Sequence, residues 1–190
     1  MKNSYLSHRQ NLPKFFLITD AAAQGNSARI IAKLPCGSGV IFRDYHIKNR
    51  SRYAARIAAI CKARRLMLLV AGDFRLALRV KADGVHFPER MKAEAMMVKR
   101  KFPHLIVSVA AHGEKTIRNM SGIADVIFLS AVFATESHPE AKPLGPLATA
   151  RLARISTTPL YALGGVNAVT AKRLKGCKLS GTATIRGILA

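Results

Sequence analysis

Only ten acidic side chains occur in 190 residues, and five of them, Asp20, Asp44, Asp73, Glu89 and Glu136, fall just past short apolar runs. Carboxylates gathered at such points can hold a divalent cation or work as acid and base. Loops and helix starts also favour Asp, because a carboxylate complements the helix N-terminus, and for Asp44 and Asp73 that use is equally expected. A second group suits anions. Leu163-Gly164-Gly165-Val166 offers backbone N–H groups that approach a phosphate closely, backed by the positive end of a following helix. Ile185-Arg186-Gly187 adds a cation that could pair with the same phosphate in a forked geometry. His86 and His112 also stand at run ends, each either a ligand contact or a satisfied rim histidine. His138 lies in the long segment Phe133-Ala134-Thr135-Glu136-Ser137-His138-Pro139, whose hydroxyls and imidazole suit an anion-gripping loop. No nucleophile–base motif is present, and no His-rich or carboxylate-rich spacing specifies a metal.

These groups meet only if the apolar runs are strands of one sheet. The runs are Phe15–Thr19, Gly39–Arg43, Leu66–Val70, Gly84–Phe87, Leu105–Val109, Val126–Leu129, Pro159–Leu163 and Thr182–Arg186. Most lack alternation, as strands buried on both faces do. Segments with a 3.6-residue rhythm lie between them: Asn26–Leu34, Asn49–Arg65, Phe74–Val80, Met91–Lys101, Glu114–Ser121, Pro146–Ile155 and Asn167–Leu174. Asn26, Asp73 and Asn167 are placed to cap helices, and Pro146 suits a first turn. Eight strands alternating with helices predict an α/β fold, a compact (β/α)8 TIM barrel. A doubly wound sheet would carry a Gly-rich loop after its first strand, where this chain has Thr19-Asp20-Ala-Ala-Ala-Gln. The last strand is expected so close to residue 190 that the eighth helix is missing or vestigial. The bare apolar face this creates calls for a cover. A basic N-terminal arm, residues 1–13, could supply it through Tyr5, Leu6 and Leu12 ahead of a single domain over 14–190, and a homodimer is the other expected solution.

Lys+Arg is 31 against 10 Asp+Glu, a formal charge of +21, which draws phosphorylated small molecules and polyanions alike. Nucleic acid is not the expected partner, because no basic motif is interleaved with aromatic residues for base stacking. A cluster on one outer helical face, such as Arg52, Arg56, Lys62, Arg64 and Arg65, would favour a polyanion, whereas a ring at the barrel mouth would favour a small ligand. A hydrophobic content of 49% excludes wholesale disorder, and no apolar run approaches the ~20 residues of a membrane-spanning helix. No signal peptide is visible at the basic start. Three scattered cysteines, Cys36, Cys61 and Cys177, form neither a disulfide framework nor a structural zinc motif, which predicts a reducing cytoplasm.

Several blocks then occur in a familiar order: Phe16-Leu17-Ile18-Thr19-Asp20, Ala82-Asp83-Gly84-Val85-His86, Ala124-Asp125-Val126-Ile127, Ala131-Val132-Phe133-Ala134-Thr135 running on to Pro143-Leu144-Gly145, and Ala162-Leu163-Gly164-Gly165-Val166. Over roughly residues 15–188 the chain resembles the thiamine phosphate synthase/TenI family. The resemblance implies a barrel that joins a pyrimidine methyl diphosphate to a thiazole phosphate, with Mg2+ on the diphosphate, or in TenI relatives a thiazole tautomerase. It also implies phosphate contacts at Arg43, Thr135, Ser137, His138, Gly164, Gly165 and Arg186.

Departures from the family pattern fall at one end of that site. The strand-2 pattern Gln-x-Arg-x-Lys reads Ile41-Phe42-Arg43-Asp44-Tyr45, keeping only the Arg. The first metal carboxylate becomes Ala71-Gly72 with Asp73 one residue late, and the second falls on Met91 with Glu89 nearby. Asp73 and Glu89 are therefore the substitute metal ligands to examine. The diphosphate loop Thr-x-Thr-Lys becomes Thr135-Glu136-Ser137-His138, and a Ser after strand 8 becomes Arg186. The thiazole-phosphate end is preserved while the diphosphate–metal end is eroded, which argues against efficient synthase activity in isolation. The alternatives are a TenI-like tautomerase, with His112 or His138 as acid/base, and a non-catalytic barrel that binds a phosphorylated ligand or a polyanion.

Overall fold

Runs of Val, Leu, Ile and Phe with no polar face become strands buried on both sides, and eight of them close here into a parallel barrel in sequence order, β1 pairing with β8. The structure, a computed structural model, describes residues 11–136, 140 and 142–186. The strands are β1 Phe15–Ile18, β2 Gly39–Phe42, β3 Met67–Ala71, β4 Gly84–Phe87, β5 Ile106–Ala111, β6 Val126–Leu129, β7 Leu160–Ala162 and β8 Gly181–Thr184. The helices are α1 Ala21–Gln24, α2 Ser27–Ile31, α3 Arg50–Arg64, α4 Phe74–Arg79, α5 Lys92–Lys101, α6 Glu114–Met120, α7 Gly145–Ile155 and α8 Ala168–Lys172. Each anticipated strand appears, β4 and β6 with the anticipated ends and the others with an end shifted by a residue or two.

Strand period decides which residues fill the barrel. Phe16, Ile18, Ile41, Leu69, Ala71, Ile106, Val126, Phe128, Tyr161 and Ala183 point inward and form one buried cluster. The rings of Phe16, Phe128 and Tyr161 meet with centroids 5.2–5.4 Å apart. They fit because inward positions on neighbouring strands carry no side chain. A Cβ on Gly39 would lie 2.2 Å from the Phe16 ring, and one on Gly181 would lie 2.6 Å from Tyr161. The outward residues, among them Leu17, Val40, Leu68, Val85, Val107, Ile127 and Leu160, join the helices in a second cluster. On α3 the buried stripe is Ala54, Ile57 and Cys61, with Tyr53 and Ile60 half-buried beside it.

Local signals set the helix starts. Asn26 accepts from the Arg29 N–H, Asp73 from Leu76 N at 2.8 Å, and Asn167 from Val169 and Thr170, while Pro146 lies in the first turn of α7. The sequence did not announce α1, four residues capped by Asp20. At the barrel's N-terminal end, Leu12 packs against the interior cluster, Tyr161 Oη donates to Pro13 O at 2.7 Å, and Thr182 N donates to Lys14 O. Leu12 thus closes the floor of the barrel instead of covering the outer face of β8. Tyr5 and Leu6 lie outside the described residues. No helix follows β8 among the described residues, and none of the described helices is long and apolar enough to cross a membrane.

Candidate functional site

Strand direction brings the loops after β6, β7 and β8 to one mouth of the barrel, where they enclose a cavity of about 690 Å3. Thr135, Gly164, Gly165 and Arg186 all line it, so four of the anticipated ligand residues converge. Arg43 does not line it. Its guanidinium pairs with Asp20 at 2.6 Å, between the loops after β1 and β2. Ser137 and His138 lie outside the described residues.

The twin glycines are needed by the backbone. Their φ angles are +87° at Gly164 and +63° at Gly165, a region L-residues rarely occupy. A Cβ on Gly164 would sit 2.8 Å from Ala131 Cα, and one on Gly165 would sit 2.3 Å from Ala134 O. The loop after β6 therefore rests directly on the loop after β7, where Val132 N and Phe133 N donate to Leu163 O and Gly164 O. Among the described residues, the N–H groups of Gly164, Gly165 and Val166 donate to no protein acceptor. Successive free N–H groups in a turn make a concavity suited to an anion.

The expected contribution from the following helix fails. Asn167 Oδ1 takes the Val169 and Thr170 N–H groups at 2.9 Å, and Thr170 Oγ1 takes Asn167 N–H, so a capping box satisfies the start of α8 internally. The same helix supplies what the sequence reading missed. Asn167, Thr170 and Arg173, spaced three apart on one helical face, all line the cavity, and the Arg173 guanidinium lies 5.3 Å from the Phe133 ring centroid. The i, i+3 spacing was the available signal. The second cavity arginine, Arg186, forms an ion pair with Glu136 from the loop after β6.

The other strand-end carboxylates are already engaged. Asp20 caps α1 and binds Arg43. Asp44 is buried, accepts Ala21 N–H at 2.6 Å, and leaves Oδ2 without a hydrogen-bond partner. Asp73 caps α4 and faces Arg50 at 3.6 Å. Glu89 is a hub. One oxygen accepts from Thr116 Oγ1, the other from the His112 backbone N–H at 3.0 Å and from His112 Nδ1, and Lys92 Nζ stands 3.9 Å away. Partial burial pushes the Glu89 carboxyl up, but the hydrogen bonds from Thr116 and His112 and the charge on His112 outweigh it and hold it below its ordinary value.

As they stand, Asp73 and Glu89 are engaged by other partners and are not arranged as a Mg2+ ligand set. Mg2+ needs oxygens free to complete an octahedral shell, whereas these two carboxylates are turned to a helix end, hydroxyl and amide donors and the side chains of Arg50, Lys92 and His112. Among the described residues no three His, Cys, Asp or Glu side chains come together as a metal site. The histidines separate clearly. His86 is buried with Nδ1 3.0 Å from Ser108 Oγ and its ring edge-on to Phe128, a core residue, and His112 is an exposed rim residue held by Glu89. The basic side chains follow both anticipated patterns: Arg52, Arg56, Lys62, Arg64 and Arg65 are exposed on and just after α3, while Arg173 and Arg186 stand at the mouth.

Fold and cavity together define a (β/α)8-barrel protein with its candidate site at the C-terminal mouth, where such barrels keep their active sites. The profile of the family described as thiamine monophosphate synthase (TMP-TENI) matches residues 15–188. The chain belongs to this thiamine phosphate synthase/TenI family of thiamine biosynthesis. It is 35% identical to the Aquifex aeolicus protein named "Putative thiamine-phosphate synthase 2", over 93% of this chain and 96% of that one. It is 26% identical to the thiamine-phosphate synthase of Coprothermobacter proteolyticus, over 96% and 89%. The solved thiamine phosphate pyrophosphorylase of Pyrococcus furiosus shares the fold, with a TM-score of 0.79 at 20% identity over 94% and 88% of the two chains.

Proposed function

We propose that this protein is a cytoplasmic member of its family that binds a thiazole phosphate in the cavity bounded by the loops after β6, β7 and β8, and that it does so without a divalent metal. The observation that carries this reading is the row of unpaired N–H groups at Gly164, Gly165 and Val166 in a cavity that also holds Thr135, Arg173 and Arg186. Backbone donors and arginines are the groups that stabilise a phosphoryl oxygen in a partly dry site. Synthase turnover on this reading is slow, because no bound Mg2+ neutralises a departing diphosphate, a contribution of several kcal/mol. Isothermal titration tests it: thiazole phosphate binds at one site with the same affinity in Mg2+ and in EDTA. Absence of binding removes the site, and an affinity that depends on Mg2+ removes the metal-free part.

A second reading, a tautomerase, is favoured by Glu89 and His112. Whenever the imidazole has given up one proton, the carboxylate on Nδ1 holds the remaining proton there and leaves Nε2 as a base on a ring that is 60% exposed at the rim. Protons could then be moved between atoms of a thiazole with no metal. Here His112→Ala abolishes isomerisation of a thiazole tautomer and Glu89→Gln slows it at least tenfold, with phosphate affinity unchanged in both. Full activity in His112→Ala eliminates this reading.

A further inference from the structure

The cavity's two arginines are in different electrostatic states. Arg186 is neutralised by Glu136, the carboxylate among the cavity-lining residues, in an ion pair that ties the loop after β8 to the loop after β6. Arg173 has no such partner. No carboxylate pairs with it among the described residues, which include all ten acidic side chains of the chain. It lies instead over the face of Phe133, a contact that holds the planar guanidinium in place while leaving its N–H groups free.

We propose that Arg173 is the resident cation for the phosphoryl group in this cavity, and that Glu136 is a specificity residue that competes with the same group for Arg186. A phosphate monoester entering the cavity meets a stacked, unpaired guanidinium at once, and recruits Arg186 only by displacing Glu136. Displacement leaves an exposed carboxylate beside the ligand, and its repulsion grows with every further negative charge the ligand carries. The site therefore takes a phosphate monoester in preference to a diphosphate. This inference rests on the phosphate reading above.

The test is a set of titrations with thiazole phosphate and with inorganic pyrophosphate. Arg173→Ala weakens thiazole phosphate binding at least tenfold, and Arg173→Lys, which keeps the charge but loses the flat fork, recovers only part of it. Glu136→Gln tightens thiazole phosphate three- to tenfold and pyrophosphate by more. In the Arg186→Ala background the Glu136→Gln gain changes, because the two residues are coupled through their ion pair. Arg173 and Glu136 are exposed, so the variants fold, and circular dichroism confirms it. If Arg173→Ala binds as the parent does while Arg186→Ala loses tenfold, the roles assigned to the two arginines are overturned and the phosphate reading stands. If Glu136→Gln changes nothing for either ligand, the specificity role falls. If the parent protein binds neither ligand, the phosphate reading falls with the rest.

Discussion

Gly165→Ala is expected to lower stability by about 2–4 kcal/mol and to reduce thiazole phosphate affinity at least tenfold, because two penalties coincide at one atom. A φ of +63° places an added methyl against its own backbone, a cost of about 1 kcal/mol. The same methyl would stand 2.3 Å from Ala134 O and 2.7 Å from Phe133 Cβ, and since one of these is main chain, relief requires the loop itself to move, at about 1–3 kcal/mol. For a domain of this size that corresponds to a fall in Tm of roughly 5–15 °C. Gly37→Ala is the control: its φ is +80° with nothing within 4 Å of the added Cβ, so it should show the strain alone, about 1 kcal/mol. Moving the loop also drags Phe133, and with it Arg173, out of the cavity wall. A Gly165→Ala protein that melts and binds like the parent would mean the two loops are not packed as described.

The second large effect is a pH dependence held in the barrel core. Burial, with a smaller contribution from the nearby Arg43 charge, pushes the His86 imidazole down to about 3 from its ordinary value of 6.5. The unfolded chain therefore takes up a proton below pH 6.5 that the folded chain refuses until about pH 3. Stability consequently falls as pH drops through that window, and this one group can account for about 4 kcal/mol of the loss. His86→Asn, which keeps a polar atom near Ser108 and cannot titrate there, should be less stable than the parent at pH 7.5 and should lose less on going to pH 4. Urea melts at the two pH values measure the difference between the slopes. Parallel profiles would show that His86 is not a buried neutral group.

Much of the architecture was legible because barrel strands advertise themselves locally. Runs such as Val126–Leu129 and Leu66–Val70 are apolar on both faces, and at four or five residues between helical patterns they point to doubly covered strands. The helix caps at Asn26, Asp73 and Asn167 were equally readable, since a cap acts within three residues. The short helix Ala21–Gln24 was not, because three alanines and a glutamine carry no apolar stripe. The site divides in the same way. Gly164, Gly165 and Arg186 could be placed at the cavity from type and position, while the partners that engage Asp73 and Glu89 could not be read. A sequence shows a carboxylate at a strand end without showing what faces it. For Glu89 the partners are Thr116 and His112, more than twenty residues on, and for Asp73 one partner is Arg50, on the preceding helix.

By itself, then, the chain's order of residues determined the ring of eight βα units and, with Gly164, Gly165 and Arg186, part of its mouth, since burial on both faces of a strand is written in four or five consecutive side chains. Tertiary structure alone decided which charges at that mouth are spent. Glu136 and Arg186 lie fifty residues apart, and Arg173 reaches Phe133 across another forty. Only closure of the barrel brings such pairs within a few ångströms, and Coulomb attraction and ring stacking act over no greater range near a solvated surface.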